Sequence, residues 1–251
     1  MAFERVTLGR TGLSVTRLGI AASYGTDEAM VEAAVERGVN YLWWGALRTK
    51  KMAWGIRAVA RKGREDLVIV LHAVTRKPDP RLMEQARSLK EKGLVRFLAL
   101  SSHRRMLFPE LESDREIDIY HLRYNAAHRG AETEVFDRLS EQGAPGIVAF
   151  TSNRWGSLID PARMPPGESP PSPADCYRFV LSHPRVHVAC CGPADAEELR
   201  QNHECLDQGP MCEEELERRR RIGRHVYENS SPWRAQLSAI LGVVSRRLRR
   251  A

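Results

Sequence analysis

Leu67-Val68-Ile69-Val70-Leu71-His72-Ala73-Val74 is a near-continuous apolar run, the pattern of a strand buried on both faces, as strands of parallel sheets are. Pro80 to Lys92 then carries helical spacing and ends at Gly93. Val95-Arg96-Phe97-Leu98-Ala99-Leu100 reads as the next strand. Strand, helix and strand in this order make a crossover unit, the building block of a parallel α/β sheet.

The alternation extends outward in both directions. Toward the N-terminus, Val15 to Ala21 and Val39 to Trp44 read as strands. Helices at Asp27 to Arg37 and Lys50 to Arg61 follow them, the first with Met30, Val31, Ala34 and Val35 at helical spacing. Toward the C-terminus, strands are expected at Ile117 to Tyr124, Gly146 to Phe150 and Val186 to Cys190. Helices are expected near Glu132 to Glu141, Ala174 to Leu181 and Ala196 to Leu206. No repeat or linker divides the chain, and its 251 residues suit one α/β barrel, which typically takes about 250. The expected organisation is a barrel over residues 1–229. A basic amphipathic helix over 230–251 follows, with Trp233, Leu237, Ile240, Leu241, Val244 and Leu248 on one stripe.

The strands number seven, whereas a closed (β/α)8 TIM-type barrel has eight. Between Val74 and Val95 there is room for one helix only. Either a strand hides in an irregular segment, or one β/α unit of roughly 30 residues is missing. A missing unit leaves open strand edges for a loop, a tail or a partner subunit to cover. A homo-oligomer formed through that edge, or through the C-terminal helix, is therefore one expectation.

Composition is that of a globular protein, with 42% hydrophobic and 28% charged residues. There is neither an apolar run of 18 residues nor a basic-then-apolar leader, so no integral membrane segment is expected. Five cysteines form no disulfide framework, and a reducing cytoplasm is the simplest setting. The formal charge of +7 gathers in Arg218 to Arg221 and in Arg246, Arg247, Arg249 and Arg250. Nucleic-acid binding would want stacking aromatics among these cations; none are interleaved, so a solvated basic face is expected and no nucleic acid. The last helix is expected to dock on the barrel or a second subunit rather than lie on a membrane surface.

Some candidate chemistry follows from the residues alone. By strand alternation Ile117, Ile119, His121, Arg123 and Asn125 share one face, apolar at first and polar toward the C-terminal end. That change is what a ligand site at a barrel mouth requires; if the face meets the helices instead, Arg123 serves an ion pair. His72 lies late in its strand, and Trp43 and Trp44 are bulky packing or a flat wall for a ring-shaped ligand. Arg48 is a fixed cation suited to a carboxylate or phosphate, or a solvent-exposed loop residue. No metal site is expected: His187, Cys190 and Cys191 alternate on a strand and cannot all face one ion. The cysteines read as buried small apolar residues. Asp160 to Pro173, with six prolines, reads as a stiff cover over a ligand or an ordinary surface excursion.

Motif order adds a resemblance. Leu8-Gly9-Arg10-Thr11-Gly12-Leu13, Arg37-Gly38-Val39-Asn40-Tyr41, Lys92-Gly93-Leu94-Val95-Arg96, Ser101-Ser102-His103, Tyr124-Asn125, Gly146-Ile147-Val148-Ala149-Phe150 and Cys191-Gly192-Pro193 follow one another as in the aldo-keto reductases. The chain resembles that family up to about Asn229, with Glu213 to Gly223 like its closing helix. The resemblance implies a barrel that binds a nicotinamide cofactor at the C-terminal ends of its strands.

Family members use an Asp, a Tyr, a Lys and a His, the Tyr donating a proton to the carbonyl that accepts hydride. Here the resemblance puts Trp43 at the Asp position and Arg48 near the Tyr position. His72 takes the Lys position if its strand is the third, or the His position if the third strand is the missing one. At least three of the four are absent, which leaves His72, Arg48 and His121 as the expected catalytic residues. Trp43, Arg123 and Tyr124 are the expected substrate contacts.

For the cofactor, the resemblance implies Ser101 and Ser102 at the carboxamide, His121 beside them and Phe150 stacked on the ring. It also implies Thr151 and Asn153 near the pyrophosphate, with Gly192 and Asn202 at the adenosine end. Gly192 and Glu198 stand where many members have Lys and Arg, and Asp195 adds a negative charge, so no grip on a 2′-phosphate is evident. The cofactor is NAD or NADP, or there is none. The leading expectation is an oxidoreductase acting on a small carbonyl compound with non-standard catalytic residues; the alternative is an inactive barrel serving as a binding or regulatory protein.

Overall fold

The computed structural model describes residues 2–22, 25–45, 49–71, 80–113 and 115–230. Arg48, His72 and the expected C-terminal helix lie outside the described residues.

In chain order, a hairpin of β1 (Val6–Thr7) and β2 (Ser14–Val15) precedes β3 (Leu18–Ala21), α1 (Glu28–Glu36), β4 (Tyr41–Trp44) and α2 (Lys50–Lys62). There follow β5 (Val68–Leu71), α3 (Pro80–Glu91), β6 (Ala99–Ser102), α4 (Leu107–Glu110), β7 (Ile119–Arg123) and α5 (Ala131–Glu134). The chain continues through β8 (Gly146–Phe150), α6 (Pro173–Leu181), β9 (Val188–Cys191), α7 (Ala196–Gln208) and α8 (Glu213–Glu228). Strands β3 to β9 form one seven-stranded sheet in the order β5-β4-β3-β9-β8-β7-β6, every pair parallel.

The order is that of a barrel. The first and last strands, β3 and β9, are paired, so the sheet curls back on itself. Its free edges are β5 and β6, and among the described residues no ladder joins them. The break falls where the sequence has room for α3 alone. Counted from β3, β5 takes the third place, and among the described residues the ring is interrupted directly after it.

The sheet separates two cores. Leu18, Ile20, Leu42, Leu100, Tyr120, Leu122, Ile147 and Ala149 face the helices and pack on residues such as Val31, Met52, Phe108, Phe136, Phe179 and Leu199. Ala21, Tyr41, Trp43, Ile119, Val148, Val188 and Cys190 fill the lumen together with Leu8 and Val15 of the hairpin. The hairpin plugs the N-terminal end. Gly146 opens β8 there, and a Cβ on it would lie 2.6 Å from Leu8 Cδ1, so glycine makes room for the plug. Arg10 pins the plug by donating to the Ile117 carbonyl at 2.6 Å. The C-terminal rim is left as the mouth.

Several expectations are corrected. Val15 to Ala21 is two strands, because at Thr16 the chain turns from the hairpin into the barrel; the Thr16 N–H donates to Asn40 Oδ1 at 2.9 Å. The sixth strand begins at Ala99 rather than Val95; Leu94 is 70% exposed, and the carboxylate of Asp118 takes the Leu98 N–H. The helix expected over Glu132 to Glu141 is one turn, α5, followed by a 3-10 turn at Phe136–Arg138. The Arg218 to Arg221 run is not simply solvated: it pairs with Glu168, Asp175, Glu213 and Glu217. Glu168 belongs to the proline-rich segment, which is thereby tied to α8. Four cysteines are buried as expected, but Cys212 is exposed.

Candidate functional site

Alternation along β7 sets the inner wall. Ile119 and His121 point into the lumen, and Arg123 follows on the same face at the C-terminal end. His121 is 1% exposed. Its Nε2 meets the Tyr41 hydroxyl at 2.8 Å across the barrel, and Trp43 stands edge-on with ring centres 4.5 Å apart. Burial pushes the Tyr41 phenol well above its usual value, so it stays neutral. His121 is therefore a lumen residue whose Nε2 is held by a buried partner.

One layer higher, Trp43 and Phe150 lie 5.8 Å apart between ring centres, and His103 meets the Phe150 ring edge-on at 5.7 Å. Ser101 pairs in register with His121 and so stands on the inner wall, below these rings. Ser102 has the opposite parity, and its hydroxyl accepts the Arg104 N–H at 3.0 Å, which spends it on the turn.

Arg123 pairs in register with Phe150 at the rim. It is half-buried, its Nε has no hydrogen-bond partner, and no ion pair reaches it among the described residues. Burial, then the nearby Arg105 guanidinium, hold its pKa below the usual value. Around it the acids are already engaged. Glu134 takes Arg105 with both oxygens, at 2.9 and 2.7 Å. Glu132 accepts the Tyr124 hydroxyl at 2.8 Å and lies 3.7 Å from Arg129.

The loop past β7 is built by Asn125, fully buried. Its Oδ1 accepts the Ala127 and His128 N–H groups, and its Nδ2 donates to the Thr151 carbonyl at 2.8 Å. Thr151 (φ +62°) and Arg154 (φ +52°) hold left-handed backbone in the loop after β8. The Arg154 guanidinium donates to the Val226 carbonyl (2.8 Å) and Ser230 Oγ (2.6 Å), tying this loop to α8. Burial together with Arg123, Arg154 and Arg105 pushes the His128 imidazole down to about 3, so it is neutral at pH 7.

The expected contacts do not all converge. Tyr124 faces the helices, against Phe136 and Phe179, because adjacent strand residues point to opposite faces; this corrects its expected place at the substrate. Asn153 Oδ1 accepts the Gly156 N–H at 3.3 Å within its own loop. Asn202 is buried on the inner side of α7, so its side chain lies inside the fold. Beyond Gly192, Thr26 Oγ1 donates to the Pro193 carbonyl (3.2 Å) and the Glu198 carboxylate accepts the Ala194 N–H (2.8 Å). Asp195 caps α7 by accepting the Glu198 N–H.

One residue of this region carried no sequence signal. Tyr227, exposed on the last turn of α8, meets His128 edge-on at 5.5 Å and lies under the Arg154 guanidinium at 5.9 Å. Its place among the polar residues of α8 gives no hint of the rim. No group of three or more potential metal ligands exists among the described residues, and none of their helices is long and apolar enough to cross a membrane.

Comparison with family models and with curated proteins finds no match. Solved structures do match. An aldo-keto reductase from Bacillus halodurans is similar in its apo form (TM-score 0.70, 87% of this chain and 95% of that one) and in its holo form (TM-score 0.71, 87% and 96%), each at 18% identity. A putative aldo-keto reductase from Pseudomonas aeruginosa follows at TM-score 0.63 and 18% identity, over 81% of this chain and 94% of that one. The fold is thus that of the aldo-keto reductase barrels, as the motif order suggested, with seven barrel strands among the described residues.

Proposed function

We propose that the chain is an oxidoreductase of the aldo-keto reductase type, taking a nicotinamide dinucleotide and a small carbonyl compound in its C-terminal mouth. The observation that carries this reading is the rim wall on which Phe150, Ser101 and Arg123 stand together, above a lumen sealed at its other end. The dinucleotide, when bound, supplies hydride chemistry. Phe150 would support its ring and Ser101 its carboxamide, with Trp43 as the apolar wall for the substrate. The proton source differs from the family's phenol, since Trp43 and Arg48 stand at the Asp and Tyr positions. The Arg48 and His72 positions are the places to seek it.

Of the two cofactors, the residues favour the one without a 2′-phosphate. At the start of α7 the Glu198 carboxylate already holds a backbone N–H and Asp195 fills the cap, so an added phosphate would meet two negative groups instead of cations. Each like-charge contact near the surface costs on the order of 1 kcal/mol, enough for a roughly tenfold preference for NADH. Titration with NADH and NADPH, followed by reduced-nicotinamide fluorescence and then turnover on a carbonyl panel, tests both points. Binding of neither coenzyme would overturn the reading.

A second reading is favoured by the Tyr41–His121 bond, which occupies Nε2 of a buried wall imidazole. On this reading the chain is a barrel that binds a ligand or regulates without turnover. Coenzyme binding without turnover of any carbonyl would select it.

A further inference from the structure

We infer that Arg123 is the anchor for the carboxylate of a small organic acid, which makes the ligand of the mouth an anion with an apolar or aromatic body. The inference rests on the reading that the mouth takes a ligand, but it does not need a dinucleotide.

Charge accounting around the rim leads to it. Three guanidiniums gather there, of Arg105, Arg123 and Arg154, together with the neutral His128. Arg105 is neutralised by Glu134, and Arg154 has both terminal nitrogens bonded, to the Val226 carbonyl and to Ser230 Oγ, though among the described residues no carboxylate meets it. Glu132 is engaged with Tyr124 and Arg129. Of the three, the Arg123 side chain alone makes neither an ion pair nor a hydrogen bond among the described residues, although it is partly buried and its Nε is shut away from water. A cation held beside two others in that condition destabilises the fold, and burial penalises it further. An incoming anion would relieve both.

The class of anion follows from geometry. A guanidinium is a planar fork that matches a carboxylate through two parallel N–H···O bonds. Among the described residues Arg123 offers the one guanidinium fork at the rim with no partner, enough for the two oxygens of a single carboxylate, whereas the terminal nitrogens of Arg154 are already bonded. The neighbouring surfaces are rings: Phe150 beside Arg123 in register, Trp43 beyond it and His103 against its edge. They suit a flat apolar body attached to the carboxylate.

The test uses benzoate and its neutral isostere benzamide, titrated calorimetrically into the full chain without coenzyme. The variant is Arg123→Gln, with Arg123→Lys as a charge-keeping control. Wild type should bind benzoate at least tenfold more tightly than benzamide. Arg123→Gln should lose at least tenfold for benzoate while its Tm stays the same or rises, because an unpaired cation has been removed. Arg123→Lys should fall between them. Equal binding of benzoate and benzamide, no benzoate binding at millimolar concentration, or displacement of benzoate by equimolar inorganic phosphate would each overturn the inference. A fall in Tm for Arg123→Gln would also do so, since it would make Arg123 a structural residue. Failure of NADH binding alone would leave the result standing, so the two readings can fail separately.

Discussion

His187 shows how a single neutral imidazole becomes a pH-dependent strut. Its Nδ1 accepts the Ile147 N–H at 3.0 Å, and its own N–H donates to the Ile147 carbonyl at 2.9 Å, fastening β9 to β8. An imidazole accepting at Nδ1 cannot carry a proton there; burial and Arg17 push it down to about 4. Burial and the rim arginines take His128 to about 3. An unfolded histidine titrates near 6.5, so below that pH the unfolded chain binds more protons than the native one. Their stabilising contribution is therefore whole above about pH 6.5 and is lost as pH falls toward 4, at no more than about 1.4 kcal/mol per unit for each ring. Urea midpoints at pH 7.5, 6 and 5 should decline, and His187→Gln should flatten the decline; equal midpoints at all three would contradict this. Sequence alternation put His121 and Arg123 on one face and left open whether it met the lumen or the helices; His121 lies in the lumen. Alternation could not show that Tyr41, 80 residues away, closes on His121, because that partner is set by barrel curvature. The same alternation excludes Tyr124 from that wall; only the motif order drew it in.

Among the elements, α8 governs the rim although it is the element farthest in sequence from β3. It crosses the Asn125–Ala127 turn at Gly223, where a Cβ would lie 2.1 Å from the Ala126 carbonyl oxygen. That oxygen is backbone and cannot swing aside. Gly223→Ala should cost about 1–3 kcal/mol or more by overpacking. It should also displace the last turn, which carries Tyr227 and the carbonyl that Arg154 holds. A lower Tm and weaker benzoate binding are expected together, measured by thermal circular dichroism and calorimetry; a variant that melts and binds like wild type would refute the crossing. Long helices with capping residues were legible: Asp27 and Asp195 accept the N–H groups that caps accept, as Ser172 does before α6. The hairpin was not, since strands of two residues have no period to read, and neither was α4, a single turn.

For the whole molecule, order and count were readable because each parallel strand announces itself by an apolar run, and the short span between β5 and β6 is a matter of length. β5 (Val68–Leu71) pairs with β4 and so stands third from β3 in the sheet, while His72 itself lies outside the described residues. The break in the ring also coincides with a stretch where the chain itself is continuous, opposite the seam of β3 and β9. A severed eight-strand barrel would still be zipped along two lines; this one would rely on one. That line is β3 on β9, with Phe3 donating to the Leu206 carbonyl and Arg17 to those of Leu181 and Val186, while Leu8 plugs the far wall at Gly146. Residues 1–74 and 75–251, made as separate polypeptides, should accordingly find each other and co-elute as a one-to-one heterodimer with the circular dichroism of the intact chain. If they stay apart, the clasp is weaker than its bonds imply. If they join, the protein is in effect a two-part assembly that happens to be translated as one, and a natural scaffold for split reporters.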